Sequence, residues 1–140
     1  MSIEGNKALL RRYIETIWDN QNLAAIDDFL APSYVRHRSP TTPSLTREGQ
    51  KELLTKFRIA FPDIHLTVEE MIAEGDRIAF RSTIRGTHQG EFMGIAPTGK
   101  HVTVSLLDVI RIEGGRFVEQ WGGPDLLSLL QQLGAKVSLE

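Results

Sequence analysis

The chain has 140 residues, of which 41% are hydrophobic and 24% charged, with a formal net charge of −2. This is the size and composition of a single globular domain, and its 16 Lys and Arg are scattered, so nucleic acid is not an expected partner. The absence of cysteine excludes disulfides, thiolate catalysis and cysteine zinc sites, and no apolar run approaches a membrane span. Because the start also lacks the apolar stretch of a signal peptide, we expect a cytoplasmic protein with no membrane partner.

Three helices are predicted in the first 61 residues. Residues 6–20 form an amphipathic repeat whose apolar stripe comprises Leu9, Leu10, Tyr13, Ile14, Ile17 and Trp18. A short second helix is predicted at residues 23–30, and a third begins at the N-cap Thr46 and ends before Pro62. Aromatic residues at helical spacing are mostly core residues, although Trp18 could also reach a pocket.

A short strand is predicted at residues 34–37, with Tyr34 and Arg36 on one face and His37 on the other. His37 shares its face with an apolar residue, where histidine is usually hydrogen-bonded and inert; near a carboxylate it would instead be a proton carrier. The following residues 38–45 contain two prolines and several hydroxyl groups, which indicates an exposed loop and a candidate lid.

The middle of the chain predicts antiparallel strands and then a glycine-rich segment. Residues 64–69 and 77–85 alternate in polarity around a turn. Residues 94–100 fit the frame of a phosphate-binding loop, but His101 follows where serine or threonine is needed, and a strand follows rather than a helix. His88 and His101 lack metal-ligand spacing, so no metal is expected.

The alternating run at residues 102–112 contains the most informative residue of the chain. Asp108 shares a face with apolar residues and should be buried, so it needs a partner or a cavity. It is either a structural aspartate or a general acid or base whose pKa burial raises. The pair Gly114-Gly115 predicts a two-residue hairpin turn, and without a bulge the register would place Asp108 opposite Trp121.

Asp125 is a second candidate, and two explanations are open for it. It follows Pro124 and precedes a leucine repeat, where aspartate is a favoured helix N-cap. A catalytic carboxylate could also occupy this position.

Several segments together resemble the SnoaL-like polyketide cyclases of the nuclear-transport-factor-like superfamily. They are FPDI, EGDRIAFRSTIRGTHQGEFMGIAPTGK and VEQWGGPDLLSLLQQLG. The resemblance spans nearly the whole chain and implies one α+β domain over residues 1–140. In that fold a curved, mostly antiparallel sheet wraps around N-terminal helices to form a cone with a deep pocket. It also implies that Asp125, which opens the last helix, is the acid/base residue, whereas Asp108 stands where the cyclases carry a histidine.

These observations predict a cofactor-independent cyclase that closes a small apolar or aromatic carbonyl compound by an intramolecular aldol reaction. Asp125 would remove the proton, and Asp108 or His37 would protonate the resulting alkoxide. The expected substrate-pocket residues are Trp18, His88, Phe92, Met93 and Trp121.

Two other functions fit the same residues. An epoxide-hydrolase-like enzyme would use the acids to activate water, but it needs an arginine between two aspartates, and Arg111 faces away from Asp108. A non-catalytic protein would only bind an apolar molecule. The exposed Leu107 and Val109 predict that a second copy covers the sheet, which would give a homodimer.

Overall fold

The computed structural model describes residues 2–136 and residue 138. Its helices are α1 (Ile3–Tyr13), α2 (Arg47–Ala60) and α3 (Leu126–Gln132), with a π-helix at Ile14–Asp19 and a 3₁₀ helix at Leu23–Asp28. Its strands are β1 (Leu30–His37), β2 (Leu45–Thr46), β3 (His65–Glu74), β4 (Arg77–Thr87), β5 (His101–Glu113) and β6 (Arg116–Pro124).

The helix boundaries follow the capping residues of the sequence. Ser2 caps α1 by accepting a hydrogen bond from the Gly5 backbone, and Thr46 caps α2 in the same way through Gly49. The predicted first helix is confirmed, but it widens into the π-helix after Tyr13. The predicted second helix is a 3₁₀ helix, and strand β1 begins at Leu30.

The six strands form one curved, open sheet in the order β2-β1-β6-β5-β4-β3. Strands β1 and β6 are parallel, and every other neighbouring pair is antiparallel. The predicted α+β class with a mostly antiparallel sheet is therefore confirmed. Every second residue of β5 from Val102 to Ile112 is buried, as the sequence pattern predicts, and Asp108 is one of these residues.

The hairpin between β5 and β6 has the predicted turn but a different register. Gly114 and Gly115 both have positive φ, as a two-residue turn requires. A bulge at Val118 shifts the pairing by one residue, because Arg111 pairs with Glu119 whereas Ile112 pairs with Phe117. The bulge-free expectation that Asp108 lies opposite Trp121 is therefore wrong: Asp108 pairs with Gly122.

Residues at both ends of α3 form hydrogen bonds with the part of β5 that extends beyond the end of β6. Strand β6 ends at Pro124, opposite Leu106. Beyond this point the Asp125 backbone N–H donates to the Ser105 carbonyl, and the Gln132 side chain bonds both the N–H and the carbonyl of Thr103. These bonds satisfy strand groups that would otherwise lack partners and hold α3 beside the sheet.

Candidate active site

A cavity lies between the inner face of the sheet and helices α1 and α2. It has a volume of about 30 Å³, which is room for a water molecule or two. Its apolar wall includes Tyr13, Trp18, Leu54, Phe57, Phe80 and Leu106, and its polar residues are Arg36, Gln50, Asp108 and Gln120.

Asp108 is the acid of this cavity. Its side chain is 2% exposed, and its Oδ2 atom accepts a hydrogen bond of 2.5 Å from Gln120 Nε2. Gln120 is oriented in turn by Tyr34, whose hydroxyl donates to Gln120 Oε1. The other carboxylate oxygen, Oδ1, has no hydrogen-bond partner among the described residues. A hydrogen bond therefore holds only one of the two carboxylate oxygens.

The protonation of Asp108 reflects two opposing effects. Burial raises the pKa of its carboxyl group above the usual range, because a low-dielectric environment disfavours the charged form. The charge of Arg36 and the hydrogen bond from Gln120 oppose that rise. The net direction is upward, as expected of a group that both takes up and releases protons.

Arg36 provides the positive charge of the cavity. It is 6% exposed, and its Nη2 atom donates to the Gly122 carbonyl at 3.0 Å, while Nη1 lies 3.4 Å from Gln50 Oε1. Its Nε atom has no hydrogen-bond partner among the described residues, and no Arg36 nitrogen lies within 4.0 Å of an Asp108 oxygen. The two charged groups line one cavity without forming a direct ion pair.

Gly122 brings these two charged residues together. It pairs with Asp108 across the hairpin, and its carbonyl anchors Arg36. Its φ is +101°, and a Cβ atom there would lie 2.1 Å from the Leu107 carbonyl oxygen and 2.7 Å from Asp108 Oδ1. Only glycine fits this position without displacing the carboxylate.

Two tyrosines complete the buried polar group. Burial is the largest cause of the raised pKa of Tyr13, which reaches about 12, and it raises the pKa of Tyr34 as well. Both phenols are therefore neutral near pH 7, and the Tyr34 hydroxyl donates a hydrogen bond to Gln120.

Asp125 does not share the cavity with Asp108. It is exposed, and its Oδ1 atom accepts a hydrogen bond from the Ser128 backbone at 3.1 Å, which is the N-cap of α3. Pro124 lines the cavity, but Asp125 does not. Asp108 and Asp125 therefore do not line the same cavity, because the chain turns outward after Pro124 to begin α3.

His37 lies on the outer face of the sheet, as its place in the alternation of β1 requires. Its Nε2 atom is 2.9 Å from Glu119 Oε2, and its ring stacks on Trp121 with the centroids 5.2 Å apart. The Arg77 guanidinium lies 5.0 Å from the Trp121 ring centroid. His37 therefore has the nearby carboxylate that the sequence analysis considered, but neither it nor Trp121 lines the cavity.

Of the five expected substrate-pocket residues, only Trp18 lines the cavity. His88 is fully buried and bonded through Nδ1 to Thr98, and Phe92 packs on Phe57 and Phe61 in the core. Met93 is 63% exposed. His88, Phe92 and Met93 do not line this cavity because the glycine-rich segment packs beside α2, and Trp121 does not line it because the bulge in β6 turns its side chain outward.

Arg36, Gln50 and Gln120 belong to the site but were not predicted from the sequence. The alternation of residues 34–37 groups Arg36 with Tyr34 on one face, and only the structure shows that this face is the inner one. Gln50 and Gln120 gave no sequence signal, because one glutamine on a helix and one on a strand are ordinary surface residues in most proteins.

Among residues 2–136 and 138, no cluster of three or more His, Cys, Asp or Glu could hold a metal ion. Within the same residues, no helix is both long and apolar enough to span a bilayer.

The structure is that of an α+β protein with a buried acidic residue in its cavity, and comparisons with known proteins identify its family. Residues 8–133 match the SnoaL-like polyketide cyclase family, and the chain belongs to that family. A search of curated proteins finds no match.

Solved structures of similar fold include AclR from Streptomyces galilaeus, a candidate hydroxylase, with 32% identity and a TM-score of 0.88. That match covers 99% of this chain and 91% of AclR. IdmH from Streptomyces antibioticus, a candidate polyketide cyclase, is 30% identical with a TM-score of 0.81, covering 93% and 99% of the two chains. A candidate polyketide cyclase from Acidithiobacillus ferrooxidans is also 30% identical, with a TM-score of 0.81 and coverage of 95% and 97%.

Proposed function

We propose that this protein is a cyclase-type enzyme that needs no cofactor and uses Asp108 for general acid/base catalysis on a small apolar carbonyl compound. The observation that carries the proposal is the buried Asp108 carboxyl group, which lines a largely apolar cavity with one oxygen unpartnered. The family membership and the cyclase descriptions of IdmH and the Acidithiobacillus protein support the reaction type.

In the proposed reaction, Asp108 Oδ1 removes a proton from the carbon beside a carbonyl group. The C–H electron pair forms a carbon–carbon double bond, and the carbonyl oxygen becomes an enolate oxygen. The enolate carbon then attacks a second carbonyl in the same molecule, and the new alkoxide takes its proton from Asp108. Acid/base help of this kind is typically worth about 10² to 10⁴ in rate.

A substrate of this kind needs more space than the cavity of about 30 Å³ offers. Part of the wall must therefore move when the substrate enters. Trp18 is the wall residue that we expect to move, because it is only partly buried and lies in the π-helix after α1.

The proposal is tested by exchange of the acidic protons of 2-tetralone into deuterated water, followed by NMR. Asp108→Asn should lower the catalysed exchange rate by about 10² to 10⁴, because it removes the base and keeps the shape. Asp125→Asn is the matched control and also tests the base role predicted for Asp125. Asparagine caps helices about as well as aspartate, so this variant should keep most of the rate. Full activity in Asp108→Asn, or its loss in Asp125→Asn, would contradict the proposal.

A hydrolase that activates water is the second candidate function, and one observation favours it. Arg36 lies beside Asp108 in a cavity with room for water, whereas Arg111 is bound to Glu119 and Glu113 on the outer face. The second aspartate of the epoxide-hydrolase arrangement is not among the cavity residues, where Gln120 is found instead. Oxygen from ¹⁸O-labelled water in the product of styrene oxide would support this function over the cyclase.

We also propose that the outer face of the sheet forms a homodimer. Leu107 is 62% exposed and Ile72 is 66% exposed, and both side chains lie on this face. Val109 and Trp121 are neighbours on the same face. Apolar area of this kind is usually covered by a partner. Light scattering at micromolar concentration should give twice the monomer mass, and Leu107→Glu should give a monomer; a monomeric wild type would refute the dimer.

A further inference from the structure

We propose that Arg36 is a second catalytic residue, which binds the enolate oxygen, and that the site therefore accepts compact ketones whose enolate has no aromatic ring to share its charge. The inference rests on the proposed proton transfer by Asp108 and adds a residue and a substrate class to it. An enolate conjugated with an aromatic ring spreads its own charge, whereas an isolated enolate needs a positive group at its oxygen.

The unpartnered atoms of the cavity point to this role. Asp108 Oδ1 and Arg36 Nε are both buried, and neither has a hydrogen-bond partner among the described residues. A buried charged donor without an acceptor is costly, so a ligand or a water molecule in the cavity would supply the acceptor. Because Arg36 and Asp108 line the same cavity, a ketone bound there would face both groups.

Arg36 is held in place before any substrate arrives. The Gly122 carbonyl accepts from Nη2, and the fully buried Gln50 of α2 lies beside Nη1. A Cβ atom on Gly123 would lie only 2.8 Å from Nη2, so glycine at this position leaves room for the guanidinium. A donor fixed in this way stabilises developing charge without reorganising during the reaction.

The charge balance of the reaction favours a neutral substrate. Before proton transfer the site holds the Asp108 carboxylate, the Arg36 cation and an uncharged ketone. After transfer it holds a neutral Asp108, the same cation and an enolate anion. One negative and one positive charge are present throughout, and the negative charge only moves toward Arg36. A carboxylate ligand would add a second buried negative charge beside Asp108, which is unfavourable.

The walls of the cavity agree with a compact substrate. Apart from the polar residues already described, they are aromatic and aliphatic, and they leave about 30 Å³. A ketone with one ring requires less displacement of these side chains than a ketone with two fused rings does.

The experiment compares 2-tetralone with its saturated counterpart 2-decalone in the exchange assay. The wild type should catalyse exchange of both ketones. Arg36→Gln should lower kcat/KM for 2-decalone by roughly 10² to 10³, mainly through kcat, and should lower it less for 2-tetralone. Arg36→Lys keeps a positive charge and should retain part of the 2-decalone rate. Arg111→Gln, which removes an arginine from the outer face, is the matched control and should change neither rate.

The outcomes separate this inference from the function on which it rests. If Asp108→Asn loses exchange while a folded Arg36→Gln keeps it, or if the wild type acts on 2-tetralone alone, Arg36 has no such role and the proposed function stands. If the wild type exchanges neither ketone, the proposed function itself fails. If Arg36→Gln does not fold, Arg36→Lys decides the matter. It should lose more of the 2-decalone rate than of the 2-tetralone rate, and equal losses for the two ketones would overturn the inference.

Discussion

The two faces of the sheet carry the same kinds of side chain, but the pKa of the acidic residue is raised on the inner face and lowered on the outer face. On the inner face, Asp108 lies near Arg36 in a cavity with aromatic walls. On the outer face, Glu119 bonds His37 and Arg111 beside the Trp121 ring. Burial raises the pKa of Asp108, whereas the hydrogen bonds from His37 and Arg111 lower the pKa of Glu119. Residue types alone therefore do not identify an acid/base group; access to solvent and direct partners do.

The largest effect on stability should come from Gly122→Ala, because Gly122 pairs with Asp108 and its carbonyl binds Arg36 on the inner face. The added Cβ atom would meet the Leu107 carbonyl at a strained φ of +101°. We expect a loss of roughly 3 to 5 kcal/mol in the free energy of unfolding, from backbone strain and overpacking. Urea denaturation measures it. Gly75→Ala is the control, since its φ is +59° and nothing lies within 4 Å, so it should cost only about 1 to 2 kcal/mol.

Tyr34→Phe should have the next largest effect. It leaves the buried Gln120 Oε1 atom without its donor and loosens the residue that orients Asp108. The expected loss of unfolding free energy is about 1 to 3 kcal/mol. Thr83→Val removes an exposed hydrogen bond to Glu69 and should change stability by less than about 0.5 kcal/mol. Equal losses in the two variants would mean that the inner bonds are no more important than the outer ones.

The dependence of stability on pH should differ in sign between the two faces. Asp108 has a raised pKa when folded, so its carboxyl group binds protons more tightly in the folded than in the unfolded chain. Its contribution is therefore fully present below the unfolded pKa of about 4 and is lost as pH rises through the folded pKa. Urea denaturation from pH 4 to 8 should show a smaller decline in Asp108→Asn than in the wild type. If the decline in stability were the same in both proteins, the pKa of Asp108 would not be raised by folding.

Glu119→Gln should have the smallest effect, because the outer ion pairs are partly solvated. Its lowered pKa gives a contribution that is present above the unfolded value of about 4.3 and is lost as pH falls through the folded pKa. We expect a cost of about 0 to 1 kcal/mol at pH 7, which shrinks in acid. The measurement is urea denaturation at pH 7 and pH 3. A cost that grows in acid would contradict the assigned direction.

Individual residues show which placements could be predicted from the sequence and which could not. The alternation of β5 predicts a buried Asp108, and the alternation of residues 34–37 predicts that Arg36 and His37 lie on opposite faces, without deciding which face is buried. Trp121 could not be placed in this way, because one extra residue at Val118 reverses the face of everything beyond it. Asp125 illustrates the opposite difficulty: its capping role is local and predictable, but its exposure depends on where the chain leaves the sheet.

The sequence by itself determined the elements, the faces of the long strands and the family, because side-chain periodicity and capping are local properties. Only the tertiary structure decided which charged groups meet. Arg36 and Asp108 are 72 positions apart in the chain and lie on different strands, and the peptide unit of Gly122 brings them to one cavity. Whether a carboxylate becomes reactive depends on the solvent and charges around it, and those come from distant segments that no local pattern records.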